Sequence, residues 1–301
     1  MIWLNQPVNH KDHKDNKNAM IEDILAGGSV RLTTRPVTVS DGVTLTLYDF
    51  QPANDTGAGP VLVFVPGWVS LISGWTEVLK VLTPKVRVLY LETREKRSAR
   101  LPEGPLPAFT LERMSADLAE VIGQELPEET PYALAGSSLG SAVILDYLND
   151  RATRLPRTSV LISPITEVDF PLWARLIIRW VPPSAYAVIK HIAIFYLTRF
   201  RVDKRREPEQ AAKYTGTLMA AEPVRLKANA RALSGYSVWN RLAGVDARVL
   251  LVGARTDRLH GLDALRRMAE TLPQARLSIM ESNRATHSAA VAYLLLDELT
   301  L

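Results

Sequence analysis

Val61-Leu62-Val63-Phe64-Val65 is five apolar residues in succession, with no polar position left over for a solvent-facing side. A strand of that kind is buried on both faces, which requires helices above and below a mostly parallel sheet. Further strand-length segments occur over 86–91, 132–135, 158–162, 248–252 and 275–280. Helical patterns lie between them. Leu111, Met114, Leu118, Val121 and Ile122 share one helix face behind the cap residue Thr110, and 141–148, 261–271 and 288–299 also read as helices. Ahead of this alternation, 31–39 and 43–50 read as two strands joined at the turn Asp41-Gly42.

The alternation breaks once. Residues 165–241 read as helix after helix, interrupted at Pro182-Pro183, Pro208 and Pro223. The expected fold is α/β: a mostly parallel central sheet of about eight strands, with helices on both faces and an inserted helical cap. The expected organisation is a polar N-terminal arm over 1–30, a core over 31–164 and 242–301, and the cap over 165–241. A chain of 301 residues with 47% hydrophobic content can bury a core of that size.

One stretch carries chemistry. Tyr132 to Ala135 forms a short apolar run, a helical pattern starts at Ser141, and between them lies Gly136-Ser137-Ser138-Leu139-Gly140. A serine at the apex of a sharp strand-to-helix turn has its hydroxyl pushed clear of the sheet. Side chains two positions away on either side would strike backbone, so Gly136 and Gly140 suit the turn. The amide of Leu139 at the helix N-terminus faces the place where an oxyanion would form.

Ligands of an open parallel sheet bind beyond the carboxyl ends of its strands. Three such ends carry Ser138, Asp257 and His287, in the chain order Ser, Asp, His. That set is what an acyl-transfer triad requires. His260, three residues past Asp257 on the same loop, and His191 in the helical insertion are the rival histidines.

From about residue 31 onward the chain resembles the α/β-hydrolase superfamily. The resemblance rests on the elbow 136–140, the acid loop Val252-Gly253-Ala254-Arg255-Thr256-Asp257, His287 ahead of the last helix, and the position of the insertion. It implies that Ser138 is the nucleophile, that His287 takes and returns its proton, and that Asp257 orients the imidazole. It also implies that the amides of Trp68 and Leu139 form the oxyanion hole. The implied activity is that of a serine esterase or lipase-like enzyme acting on a carboxylic ester, with no metal or organic cofactor. Other chemistry on the same fold (C–C bond hydrolysis, thioester cleavage, perhydrolysis) and a non-catalytic binding member are the alternatives. The chain departs from many relatives in having Pro66-Gly67 in place of His-Gly, and the charged run Glu92-Thr93-Arg94-Glu95-Lys96-Arg97 in place of a glycine-rich loop.

Composition narrows the partners. The net charge of +4 and pI near 9.3 call for no nucleic acid. The absence of cysteine excludes disulfides and thiol catalysis. His10 and His13 lie in a polar stretch with no ligand frame around them, so no metal site is expected. The opening apolar run, Met1 to Leu4, is too short for a secretory signal, and the apolar stretch 173–198 is interrupted by Arg175, Arg179, Lys190 and two prolines. A cytoplasmic protein is expected. Its substrate would be a small apolar ester. The apolar faces of the cap, with Ser184 capping its second helix and a basic run at 199–206, are expected to pack on the core and on each other; the alternatives are an acyl pocket and a peripheral membrane contact.

Overall fold

The computed structural model describes residues 18–300 apart from 20, 58, 151–153, 202–207 and 258. Among these residues the chain forms one eight-stranded sheet in the order β1-β2-β4-β3-β5-β6-β7-β8. The strands are β1 Val30–Thr38, β2 Thr44–Pro52, β3 Val61–Val65, β4 Val88–Glu92, β5 Tyr132–Ser137, β6 Ser159–Ile162, β7 Val249–Ala254 and β8 Ala275–Met280. β1 and β2 form the expected hairpin around Asp41-Gly42, and β2 runs antiparallel to β4. From β4 through β8 every pairing is parallel. The expected α/β architecture is therefore present. The continuous apolar runs mark its centre, since every residue of β3 through β7 is buried.

Two apolar layers cover the sheet. On one face pack α2 (Leu111–Glu125), α3 (Leu139–Asn149) and α8 (Leu262–Thr271), through residues such as Leu118, Val143 and Met268. On the other lie α1 (Thr76–Leu82) and α9 (Ala289–Thr300), through Val78, Leu79, Val291 and Leu295. Thr110 caps α2 as the sequence indicates, its hydroxyl accepting from the Arg113 amide at 3.3 Å.

Between β6 and β7 lie α4 (Leu172–Trp180), α5 (Tyr186–Tyr196), α6 (Pro208–Ala220) and α7 (Pro223–Leu233). Backbone pairing closes the neck of this insertion. Val168 N–H donates to Tyr236 O at 2.9 Å, Gly235 N–H to Val168 O at 3.0 Å, and Val238 N–H to Thr166 O at 2.9 Å. α7 is tied down by the buried Asn229, whose amide donates to Phe109 O at 2.8 Å. Ser184 does not cap α5. It sits inside a 3-10 turn, Pro183–Ala185, and the helix begins at Tyr186 with no side-chain cap.

The charged run at the end of β4 is buried from Glu92 to Lys96, with Arg97 exposed. Arg94 is 0% exposed. Its guanidinium meets the Asp117 carboxylate on α2 at 2.5 and 2.6 Å, and Asp41 in the hairpin turn at 2.8 Å. The arm residues 1–17, with His10 and His13, and the basic residues Lys204, Arg205 and Arg206 lie outside the described residues.

Candidate active site

Ser138 occupies the turn between β5 and α3 with φ 52° and ψ −112°, a left-handed conformation unfavourable for a residue with a Cβ. Its two flanking glycines hold the turn shut. A Cβ on Gly140 would lie 2.0 Å from Val65 O, and one on Gly136 would lie 2.6 Å from Ile144 Cδ1 and 2.7 Å from Gly140 C. These crossings leave no room for backbone relaxation at Gly140. Gly140→Ala should therefore abolish soluble expression or lower Tm by well over 5 °C, about 2 kcal/mol or more in a domain of this size. A thermal melt matching the parent would show that the β3–α3 crossing tolerates a side chain at 140.

The acid loop folds onto this serine. Asp257 Oδ1 accepts from the amides of Leu259 at 2.8 Å and His260 at 3.0 Å, forming a side-chain-closed turn. Asp257 Oδ2 meets His260 Nδ1 at 2.9 Å, and His260 Nε2 meets Ser138 Oγ at 3.0 Å. Both loop side chains are largely buried, at 6% exposure for Asp257 and 11% for His260. Burial alone would raise the Asp257 carboxyl. The attraction of the adjoining His260 ring, its hydrogen bond and the two backbone donors outweigh it, and hold Asp257 well below the usual carboxylate range. An ionised Asp257 on Nδ1 fixes the tautomer that leaves Nε2 as an acceptor toward Ser138.

The resemblance places His287 in this role, but the histidine hydrogen-bonded to Ser138 is His260. His287 lines the same pocket, which also includes Ser163, Thr217 and Asn283. It ends a 3-10 turn, Ala285–His287, where its Nδ1 lies 3.1 Å from Asn283 O and its ring lies 4.4 Å from the Trp75 ring. The sequence shows His260 only as the third residue past Asp257. The signal that distinguishes it is the turn that Asp257 makes with its own loop amides.

Other pocket residues carry no motif. Ser163, just past β6, has φ 45° and a buried hydroxyl with no hydrogen-bond partner among the described residues. Thr217 reaches the pocket from α6. Lys96, from the buried charged run, donates to Gly67 O at 2.5 Å, and Gly67 O also accepts from Ser70 N–H at 3.0 Å. In a trans peptide the C=O and the following N–H point in opposite directions. The two donors on Gly67 O thus fix the orientation of the Trp68 N–H. The Leu139 N–H opens α3 and has no acceptor within its own helix.

Trp68 borders two cavities. Its ring faces Phe170 at 6.5 Å between centroids. Beyond it, within the insertion, lies an apolar cavity of about 250 Å³, lined by Trp68 from the core and by Phe170, Ile177, Tyr186, Ile189 and Leu226 among others from the insertion.

Residues 62–293 match the alpha/beta hydrolase family, and the chain belongs to that family. Solved structures with the same fold include an enol-lactonase from Burkholderia xenovorans LB400, with a TM-score of 0.71 at 17% identity over 89% of this chain and 100% of that one. An esterase from Thermogutta terrifontis matches with a TM-score of 0.67 at 19% identity, over 90% of this chain and 98% of that one. A bromoperoxidase from Bacillus anthracis matches with a TM-score of 0.69 at 15% identity, over 89% and 100%. Likeness at these identities extends to the fold, and chemistry has to be argued from the residues.

Proposed function

We propose that the chain is a serine hydrolase that cleaves carboxylic esters with an apolar acyl group. The observation that carries this reading is the continuous hydrogen-bond path Ser138 Oγ–His260 Nε2, His260 Nδ1–Asp257 Oδ2. Ser138 Oγ attacks the ester carbonyl carbon while His260 Nε2 takes its proton. The oxyanion is held by the amides of Leu139 and Trp68. Collapse of the tetrahedral intermediate breaks the bond to the alcohol, which leaves with the proton from His260. Water then attacks the acyl-enzyme, its proton passing to His260, and the acid departs as Ser138 regains a proton. Asp257 stays ionised throughout and stabilises the imidazolium.

In this reading Lys96 is a positioning residue for the oxyanion hole. Losing an oxyanion donor outright costs about 10²–10³-fold in kcat, and loosening one costs less. Lys96 also pairs with the buried Glu95 at 3.0 Å, so the pair is best changed together. Lys96→Met with Glu95→Gln should lower kcat by roughly 10–10²-fold with KM nearly unchanged. A rise in KM at constant kcat would instead place Lys96 among groups that bind ground-state substrate.

The cavity behind Trp68 suits the acyl chain, with the insertion serving as the cap over it. Each buried methylene is worth about 0.8 kcal/mol, roughly fourfold in kcat/KM. With p-nitrophenyl esters, kcat/KM should climb from acetate through butyrate to hexanoate before levelling. Ala174→Trp, filling the cavity, should move the optimum to shorter chains. A flat profile, or one that falls from acetate onward, would rule out the acyl assignment. Thioesters in the same screen separate ester from thioester cleavage.

A further inference from the structure

The helices that face the apolar cavity are apolar on their outer sides as well. On α4, Trp173 and Ile177 line the cavity, while Leu172, Leu176 and Trp180, spaced by four, face solvent, with Leu172 72% and Trp180 71% exposed. On α5, Tyr186 and Ile189 line the cavity, while Val188 is 68% exposed and Phe195 is also exposed. Most large exposed apolar side chains of the described residues are thus gathered on two consecutive helices.

The charge on this segment has one sign. Residues 172–201 contain no aspartate or glutamate, but they include Arg175, Arg179, Lys190, Arg199 and Arg201. The exposed Asp169, just ahead of α4, pairs with Arg175, which leaves Arg179 and Lys190 as the cations of the two helices that meet no carboxylate of the segment. Arg179 lies over the exposed Trp180 ring at 5.2 Å, which places a cation beside an interfacial aromatic. We propose that the outer face of α4 and α5 docks on an anionic bilayer surface. The apolar side chains enter the headgroup–acyl boundary and the basic side chains meet lipid phosphates. No helix among the described residues is long and apolar enough to cross a membrane, so the contact is with one leaflet. The charge pattern favours a bilayer over a second copy of the chain. A two-fold pairing of this face would set the same cations against one another with no carboxylate on α4 or α5 between them.

The docking is independent of the catalytic reading, and Ser138→Ala should bind as the parent does. The test is co-sedimentation of the full chain with vesicles of phosphatidylcholine alone and with about one-third phosphatidylglycerol. The expected result is binding to the anionic vesicles, little to the neutral ones, and release in high salt. Arg175→Gln/Arg179→Gln/Lys190→Gln should weaken partitioning by about a hundredfold. Trp180→Asp/Val188→Asp should abolish it, with near-UV circular dichroism and hydrolysis of a short soluble ester unchanged in both. Equal binding to neutral vesicles, charge-reduced or Asp variants that bind like the parent, or no vesicle binding at all would overturn the proposal. So would concentration-dependent dimerisation abolished by the Asp pair, which would assign the face to a second copy.

Discussion

His260→Ala is expected to lower kcat toward a short p-nitrophenyl ester by at least about 10⁴-fold, while His287→Ala lowers it far less. The difference follows from geometry. His260 is the ring between Ser138 and Asp257, at 3.0 and 2.9 Å. On the proposed reading, removing it leaves the Ser138 hydroxyl with no base to take its proton as it attacks. His287 stands in the same pocket with its Nδ1 beside the Asn283 carbonyl oxygen and its ring beside Trp75, so its loss changes the pocket wall. Steady-state kinetics on both variants, with thermal melts to confirm folding, separates the two histidines. If His287→Ala is the dead enzyme and His260→Ala retains most activity, the base is His287.

Arg94→Met is expected to destabilise the protein by about 3–5 kcal/mol, a fall in Tm of roughly 6–15 °C. Arg94 is fully buried and pairs with Asp117 and Asp41. Its loss leaves Asp117 buried, with Arg113 as the remaining cation beside it. Burial is already the largest influence on Asp117 and raises its carboxyl above the ordinary value, with Arg94 opposing. Without Arg94 the carboxyl rises further. A carboxyl whose folded-state pKa is raised favours the folded state least when ionised, so the deficit should deepen as pH rises from 5 to 8. Arg94→Met/Asp117→Leu should recover most of the loss, because removing both charges removes the unpaired one. A deficit that is independent of pH, or no recovery in the double variant, would mean that Arg94 acts through packing alone. Because Arg94 anchors the run leading to Lys96, the single variant should also lose activity beyond its loss of folded protein.

The architecture was legible because burial on both faces leaves a plain trace. A strand such as Val61–Val65 has no solvent side, and the run shows it. The elbow was legible because two close backbone crossings permit only glycine at 136 and 140. The histidine was harder to read. Sequence order and resemblance point to His287, whereas the ring that meets Ser138 depends on how Asp257 folds its own loop, and three residues of separation do not reveal that turn. Residues 92–96 of the charged run gave no sign of burial, because the partners of Arg94, Asp117 and Asp41, lie far away in the chain. Ser163 and Thr217 reach the pocket through a strand end and an inserted helix, with no local pattern to mark either.

That Ser138 is a nucleophile activated by His260 is tested by labelling with a fluorophosphonate probe, read by intact mass and peptide mapping. One adduct per chain is expected, on Ser138, in the parent and in His287→Ala. None is expected in Ser138→Ala, and at most slow labelling in His260→Ala. A folded parent that takes no label, an adduct on another residue, or rapid labelling of Ser138 in His260→Ala would contradict that assignment.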